Sequence, residues 1–425
     1  MFLRYVVPLA ATLAVGCASG AGAEDPPVAA REAAFSAADA DELTLTIVAS
    51  KTGGNSDPNR VTVMEVAAAE VNELGGVRGH KLRLTAEDNA SSEALAREII
   101  TRLLAPPKVP DVLFGTHTSN VLPLVQLAAS KHTFVFGGGS SLPNVVDNAT
   151  AEGAQYFART TPSGNLVAQR LAQLTYEDGA SQIGVVYLAD TVSTQYKDDF
   201  VAKFRELGGT VFPEAIQGVP PTSTNPSYSA QFASALAGAG QVRGRPAVVV
   251  IGSGTQLKTL LRDATAANVA VQWYTSHGVQ SGDALAENPA AAEGLRGVKP
   301  AKGEASHFDH YAARLAASHP GIKPDGTAYP NMYDEILLFA LAAERGGLSA
   351  NGIRTSIREV SNADPCKIKL GPEHLAAALV AVRLGVPIDF DGASGSLELD
   401  ARGDVAAGFE EFHVTGGAFV SGGTL

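Results

Sequence analysis

LTLTIVASKTGGNSDPNRVTVMEVAAAEVNELGGVRGHKLRLTAEDN, residues 43–89, reads as a strand, a polar loop, an amphipathic helix, a glycine turn and a second strand. Residues 46–49 are β-rich and apolar enough for a strand buried in a parallel sheet. Val61, Met64, Ala67, Ala68, Val71 and Leu74 fall mostly on one helical face, with Asn72 and Glu73 turned away. Gly75-Gly76 stops that helix, and residues 81–85 resume an extended pattern. The unit is βαβ, and its first loop lies at the carboxyl edge of the sheet, where open α/β folds place ligands.

Around this unit the chain runs to 425 residues, more than one core usually holds, so two lobes are expected. A hydrophobic content of 45% with alternating strand and helix patterns predicts a globular α/β protein. The formal net charge of −12 and the lack of a basic stripe exclude nucleic acid as a partner.

The first residues form a targeting segment: a short positive end at 1–4, then an apolar core at 5–15. Ala14-Val15-Gly16-Cys17 resembles a bacterial lipobox, with Cys17 as the lipidated residue, although Ala14 stands where leucine is usual. Ala21-Gly22-Ala23 offers a rival A-x-A cleavage site that would release an unanchored chain. Both readings export the protein. The only other cysteine, Cys366, reads as a lone thiol with no base suggested nearby. No second apolar run reaches about 18 residues, so no membrane-spanning helix is expected.

Residues 18–42, rich in Ala, Gly and Pro, read as a flexible tether. The βαβ rhythm then continues, with helices at 92–104, 120–130, 166–176, 194–207, 229–237, 256–266, 307–317 and 332–344. Strands are expected at 111–114, 133–136, 183–188, 210–212, 247–251 and 271–274. The polar, Pro-rich run 218–227 reads as a long loop. Residues 388–419 change character: Gly-rich turns between short strands predict an antiparallel ribbon.

AAAEVNELGGVRGHKL (67–82), RTTPS (159–163), the strand-to-loop unit 183–196, YDEILLFAL (333–341) and IDFDGASG…LDARGD occur in an order that resembles the type I periplasmic binding proteins. The branch they are most similar to is the leucine/isoleucine/valine-binding family of branched-chain amino-acid ABC transporters. The resemblance implies two doubly wound α/β lobes joined by three crossover segments, near Arg159, near 297–300 and near 392–397. It divides the chain into a signal peptide at 1–17, a tether at 18–42, lobe 1 at 43–158 and 300–392, and lobe 2 at 159–299 and 393–425. It also implies a small-molecule ligand held between the lobes, an ABC permease as membrane partner, a periplasmic location, and neither a cofactor nor catalysis. A sensing subunit reporting to a membrane receptor is the alternative, and an orphan lipoprotein with a lost ligand is a third reading.

Three loops follow strand ends in lobe 1. In 115–120 the hydroxyls of Thr118 and Ser119 stand where a helix begins, and a helix N-terminus suits a carboxylate. The family grips its ligand's carboxylate at this position; alternatively, Ser119 only caps its helix. In Gly137-Gly138-Gly139-Ser140-Ser141 the resemblance assigns the Gly138 carbonyl and the Ser140 hydroxyl to the ligand. The loop 50–55 is the third candidate. From lobe 2, Tyr196 in a loop at 191–196 and Ser253 or Gly254 would close the site. His277 in YTSHGV occupies the place where amino-acid-binding relatives carry an acid for the ligand's ammonium group. Histidine cannot supply that charge, so a neutral amide or a carboxylate without an amine fits better, unless another acid such as Asp190 substitutes.

Enzyme motifs fail. Gly252-Ser253-Gly254 begins a dinucleotide fingerprint, but Leu257 replaces its last glycine, and neither a G-x-S-x-G elbow nor a Walker A loop occurs. His307 and His310 share a helical face, yet no cysteine is near and surface placement is expected rather than a metal site.

Overall fold

The computed structural model describes residues 42–424, apart from 55, 221–226, 281–282, 302 and 407. The targeting segment, both cleavage sites, Cys17 and the tether at 18–41 lie outside that range. The opening unit forms as read: β1 (Glu42–Ala49), α1 (Asn59–Glu73) and β2 (Lys81–Asp88), with β1 and β2 parallel. At the end of α1 the Gly75 N–H donates to Asn72 O and the Gly76 N–H to Val71 O. Gly76 has φ +73, and a Cβ there would lie 2.0 Å from the His80 carbonyl oxygen. Only glycine lets the chain turn this directly into β2.

The chain continues through α2 (Glu93–Leu103), β3 (Val112–Gly115), α3 (Thr118–Leu127), β4 (Phe134–Phe136) and β5 (Phe157–Ala158). These strands form a parallel sheet in the order β2-β1-β3-β4-β5. The second lobe follows with α4 (Gly164–Glu177), β6 (Gly184–Leu188), α5 (Thr191–Glu206), β7 (Ile216–Val219), α6 (Ser229–Ala237) and β8 (Gln241–Val242). It is completed by β9 (Arg245–Ile251), α7 (Gly254–Ala266), β10 (Gln272–Ser276) and β11 (Arg296–Pro300). Its parallel strands are ordered β7-β6-β9-β10-β11, the same winding as the first sheet when strands are counted afresh.

The chain then returns to the first lobe through α8 (Ala305–Ser318), α9 (Tyr329–Gly346), α10 (Ala350–Ser361), β12 (Ile368–Leu370), α11 (Leu375–Arg383) and β13 (Ile388–Phe390). The hairpin β14 (Phe409–Thr415) and β15 (Ala418–Thr424) finishes the second sheet against β11. Apolar side chains of α9, among them Met332, Ile336, Leu337 and Leu341, are fully buried with β1 and α1 in the first core. The second lobe buries Trp273 and Phe232 on one face of its sheet and Tyr274 and Phe200 on the other. Sheets covered on both faces explain the continuous apolar runs of β3 and β9.

Several expectations change. Residues 210–212 make only a single bridge, Gln182 to Thr210, and the edge strand is instead β7, overlapping the region read as a loop. Gly218 is tolerated there because the Tyr187 ring covers it, 3.2 Å from where a Cβ would stand. Most of the 218–227 loop, from 221 to 226, is outside the described residues. α10 and α11 were not anticipated. The antiparallel ribbon is confined to β14 and β15, since β13 pairs parallel with β12. Ala393, Leu397, Leu399 and Val405 are buried in the first core, so the chain leaves that lobe only after Val405 rather than near 392–397. The Asp334 carboxylate accepts the Ala393 and Ser394 N–H groups at 2.8 and 2.7 Å and holds this segment on α9. Cys366 is disulfide-bonded rather than a lone thiol.

Candidate functional site

An order of 2-1-3-4-5 reverses direction between its first and third strands, and loops at the carboxyl ends of those strands border a crevice. In lobe 1 these are the loops after β1, β3 and β4; in lobe 2 they follow β6, β9 and β10. Nearly all the candidate residues sit in one of these loops or in the first turn beyond it; Tyr196 alone lies deeper, in α5.

Thr118 and Ser119 are the first residues of α3, but neither caps it. His117 is the N-cap, and its backbone N–H donates to Asn120 Oδ1 at 3.0 Å in a reciprocal capping box. Ser119 is thereby released for other contacts. Its Oγ lies 3.2 Å from Ser50 Oγ and 3.3 Å from Asn89 Nδ2, and Ser50 donates to Asn89 Oδ1 at 2.8 Å. Thr118 Oγ1 is 3.0 Å from Ser140 Oγ. The three loops thus meet in one uncharged hydroxyl-and-amide cluster at the α3 N-terminus, where free N–H groups favour negative charge. Asn89 was missed; it follows β2 directly, so the strand-end logic applied to Ser50 would have found it.

Gly138 is glycine because a Cβ would stand 2.5 Å from Thr160 Oγ1 and 2.6 Å from Glu335 Cδ. Its N–H donates to Glu335 and its carbonyl accepts from the Thr161 hydroxyl, leaving one lone pair for a ligand. Burial holds the Glu335 carboxyl well above the usual range. Two arginines brace these loops from behind. Arg60 donates to Thr116 O and Gly139 O, and Arg159 to Ser140 O and Leu142 O. His117, close to Arg60, is pushed down to about 3, first by burial and then by that positive charge, so it is neutral near pH 7.

The loop after β1 is tied down by Asp88. Its carboxylate accepts from Lys51 N at 2.9 Å and Thr52 Oγ1 at 2.7 Å, so it serves the loop. Asn55 is outside the described residues.

In lobe 2, Tyr196 lies within α5 rather than in a loop, because Asp190 caps that helix by accepting the Ser193 N–H at 2.7 Å. Asp190 is therefore not free for a ligand cation. Tyr196 is buried in the lobe 2 core, yet it also reaches lobe 1: its hydroxyl comes near Ser141, and its ring occupies the space above Gly164. Val192 beside it packs on the lobe 1 core. Ser253 caps α7 in a box with Gln256, with its hydroxyl 2.6 Å from Gln256 Oε1. His277 follows β10, and Gly278 comes close to the Gly252 carbonyl, so Ser253 and His277 share one edge. The His277 ring nitrogen Nδ1 is shut from solvent without a partner, although the residue as a whole is only half-buried. Desolvation lowers its pKa to about 4, leaving it neutral at pH 7. Tyr196 and Val192 are thus the lobe 2 candidates that meet lobe 1.

Two other places carry no site chemistry. His310 pairs with Glu70 at 2.7 Å, while His307 is buried facing Glu373 rather than at the surface; no metal-binding group of three occurs among the described residues. A cavity of about 360 Å³ between Arg345, Arg358, Lys367 and Val382 lies apart from every strand-end loop.

The model of the periplasmic binding protein family matches residues 44–374. Among solved structures, a leucine-binding protein from Thermotoga maritima is similar at 19% identity and a TM-score of 0.68, over 90% of this chain and 98% of that one. A solute-binding protein from R. palustris, in complex with benzoate, aligns at 15% identity and 0.67, over 90% and 96%. A fatty acid ABC transporter substrate-binding protein from Thermomonospora curvata gives 17% and 0.63, over 91% and 92%. These likenesses describe the fold. Comparison with curated proteins finds no match.

Proposed function

The chain belongs to the periplasmic binding protein family, and from that premise we propose that it captures a small solute between its lobes for an ABC importer. The observation that carries this reading is the convergence of Ser50, Asn89, Thr118, Ser119 and Ser140 at the α3 N-terminus. Five uncharged polar side chains beside free helix N–H groups suit a carboxylate or an amide oxygen. The ligand contacts are proposed as Thr118, Ser119, Gly138 and Ser140 from lobe 1, with Tyr196, Ser253 and His277 closing from lobe 2.

Asp88 holds its own loop and Asp190 caps α5. Glu335 holds the Gly138 N–H through one oxygen; its other oxygen has no partner among the described residues, and burial pushes this carboxyl toward its neutral form. Among the described residues, a desolvated ammonium group would find a neutral histidine and a Glu335 carboxyl that burial holds toward its neutral form, at a cost of several kcal/mol. The favoured ligand is therefore a carboxylate or amide with no amine.

A thermal-shift panel of benzoate, 4-methylpentanoate, isobutyramide and leucine tests this. Saturation at 100 times Kd adds about 2.7 kcal/mol; with an unfolding entropy of roughly 0.8 kcal/mol/K for a chain this size, Tm should rise by about 3 °C. A shift with leucine alone would overturn the ligand class, and no shift with any acid or amide would overturn the solute reading. Permease and ATPase genes beside this one would support import over sensing.

Export is proposed on residues 1–17, and anchorage at Cys17 on residues 14–17. Because Cys17 is the only other cysteine, a lipid thioether there requires the Cys366 disulfide to be made to another chain, whereas an intrachain disulfide leaves Cys17 unlipidated. Intact mass spectrometry of the mature chain separates the two.

A further inference from the structure

We propose that Arg159 is a positioning residue that ties the Ser140 loop to the hinge between the lobes. The consequence for binding rests on the cleft reading above; the test below does not.

Arg159 is fully buried on the first crossing, just after β5. Its backbone N–H donates to Gly403 O at 2.9 Å, and its Nε donates to Asp404 Oδ1 at 2.7 Å. Gly403 and Asp404 lie on the stretch that leads out of lobe 1 into the third crossing. On its other side the same guanidinium donates through Nη1 to Ser140 O at 3.0 Å and Leu142 O at 2.8 Å. One planar group therefore joins the first crossing, the approach to the third, and the loop after β4. A guanidinium presents its donors in a fixed fork, so none of these partners moves without the others being felt.

The loop end of this connection is the chemical one. With its carbonyl fixed by Arg159, Ser140 aims its hydroxyl at Thr118 Oγ1, and the same hydroxyl accepts the Leu142 N–H at 3.3 Å. Ser141, between the two gripped carbonyls, meets Tyr196 of lobe 2 and accepts the Gly164 N–H at 2.8 Å. Lobe rotation about the crossings thus reaches the Ser140 hydroxyl through the Arg159 side chain, beside the direct contacts of Ser141 with lobe 2. Gly403 makes the close approach possible: at φ +79, a Cβ there would lie 2.0 Å from the Phe157 carbonyl oxygen.

Hydrogen exchange on the ligand-free full chain tests the connection through Asp404→Asn, a change on the hinge side alone. Losing the negative charge weakens the hold on the buried guanidinium, and exchange at the Gly138, Ser140 and Leu142 amides should rise roughly tenfold while the β1 amides stay within about twofold. Asp404→Glu, which restores the charge, should bring the loop amides back to within about threefold of the wild type. Two results would overturn the proposal: faster exchange confined to 400–405, or an equal rise in the loop and in β1. Should Asp404→Asn not fold, Arg159→Lys gives the same readout, because one ammonium group cannot span Asp404 and both carbonyls. If the Asp404→Asn exchange pattern appears but no acid or amide binds, the solute reading fails and the hinge connection stands.

Discussion

Replacing His277 with glutamine tests the polarity of the lobe 2 wall. His277 titrates near 6.5 when unfolded, and burial lowers this to about 4 in the native protein. A base with a lowered folded pKa takes up its proton more readily in the unfolded chain. Its contribution to stability is complete above about 6.5 and is lost as the pH falls toward 4. The gap corresponds to at most roughly 3 kcal/mol, and the half-buried state of the residue narrows the expected value to about 1–3 kcal/mol. Trp273, the only tryptophan of the chain, is fully buried on the strand that leads into His277 and stacks on Phe232 at 5.7 Å. Its fluorescence therefore reports the unfolding of lobe 2. With a urea m-value of roughly 2 kcal/mol/M, acidification from pH 7.5 to 4.5 should lower the wild-type midpoint by about 0.5–1 M more than that of His277→Gln. Titration of His117 is common to both proteins and cancels. Parallel pH profiles would refute the neutral, desolvated histidine, and with it the argument against an ammonium ligand.

Asp334 provides a test of opposite sign in lobe 1. Burial raises it to about 7, so its contribution is complete below about 3.8 and is lost as the pH rises through 7. Relative to Asp334→Asn, the wild type should lose up to roughly 4 kcal/mol between pH 4 and 7 in urea unfolding followed by circular dichroism; a gain would contradict the assignment. Gly139→Ala places a Cβ 1.8 Å from the Thr116 carbonyl oxygen, forcing apart the loops after β3 and β4. Overpacking of about 1–3 kcal/mol should, with the same unfolding entropy, lower the Tm by roughly 1–4 °C. Gly54→Ala, with no atom within 4 Å of the added Cβ, is the control and should leave it unchanged.

What could be read from the sequence was local. The β1–α1–β2 unit carries its own periodicity and its own glycine stop, so it formed as expected. The strand-end loops were also in place, because their composition changes sharply after apolar runs. The cap of α3 was not legible, since THTSN offers several polar residues and only the fold selects His117. Tyr196 reads as a loop residue, although Asp190 and Ser193 carry the spacing of a helix cap. β7 is hidden by glycine and proline, and its identity as an edge strand depends on pairing with β6, about 30 residues earlier. Least legible was Arg159, whose partners lie 17 to 245 residues away and come together only when both crossings are built. Pairing across such distances leaves no periodic trace.

Leucine and 4-methylpentanoate share one carbon skeleton and differ only in the amine. Calorimetric titration of the mature chain with this matched pair is the most direct test of the solute-binding account. The account predicts that 4-methylpentanoate binds at least about tenfold more tightly, a difference of roughly 1.4 kcal/mol, with leucine held back by its unpartnered ammonium group. Tight leucine binding with no heat from the deaminated acid would contradict it.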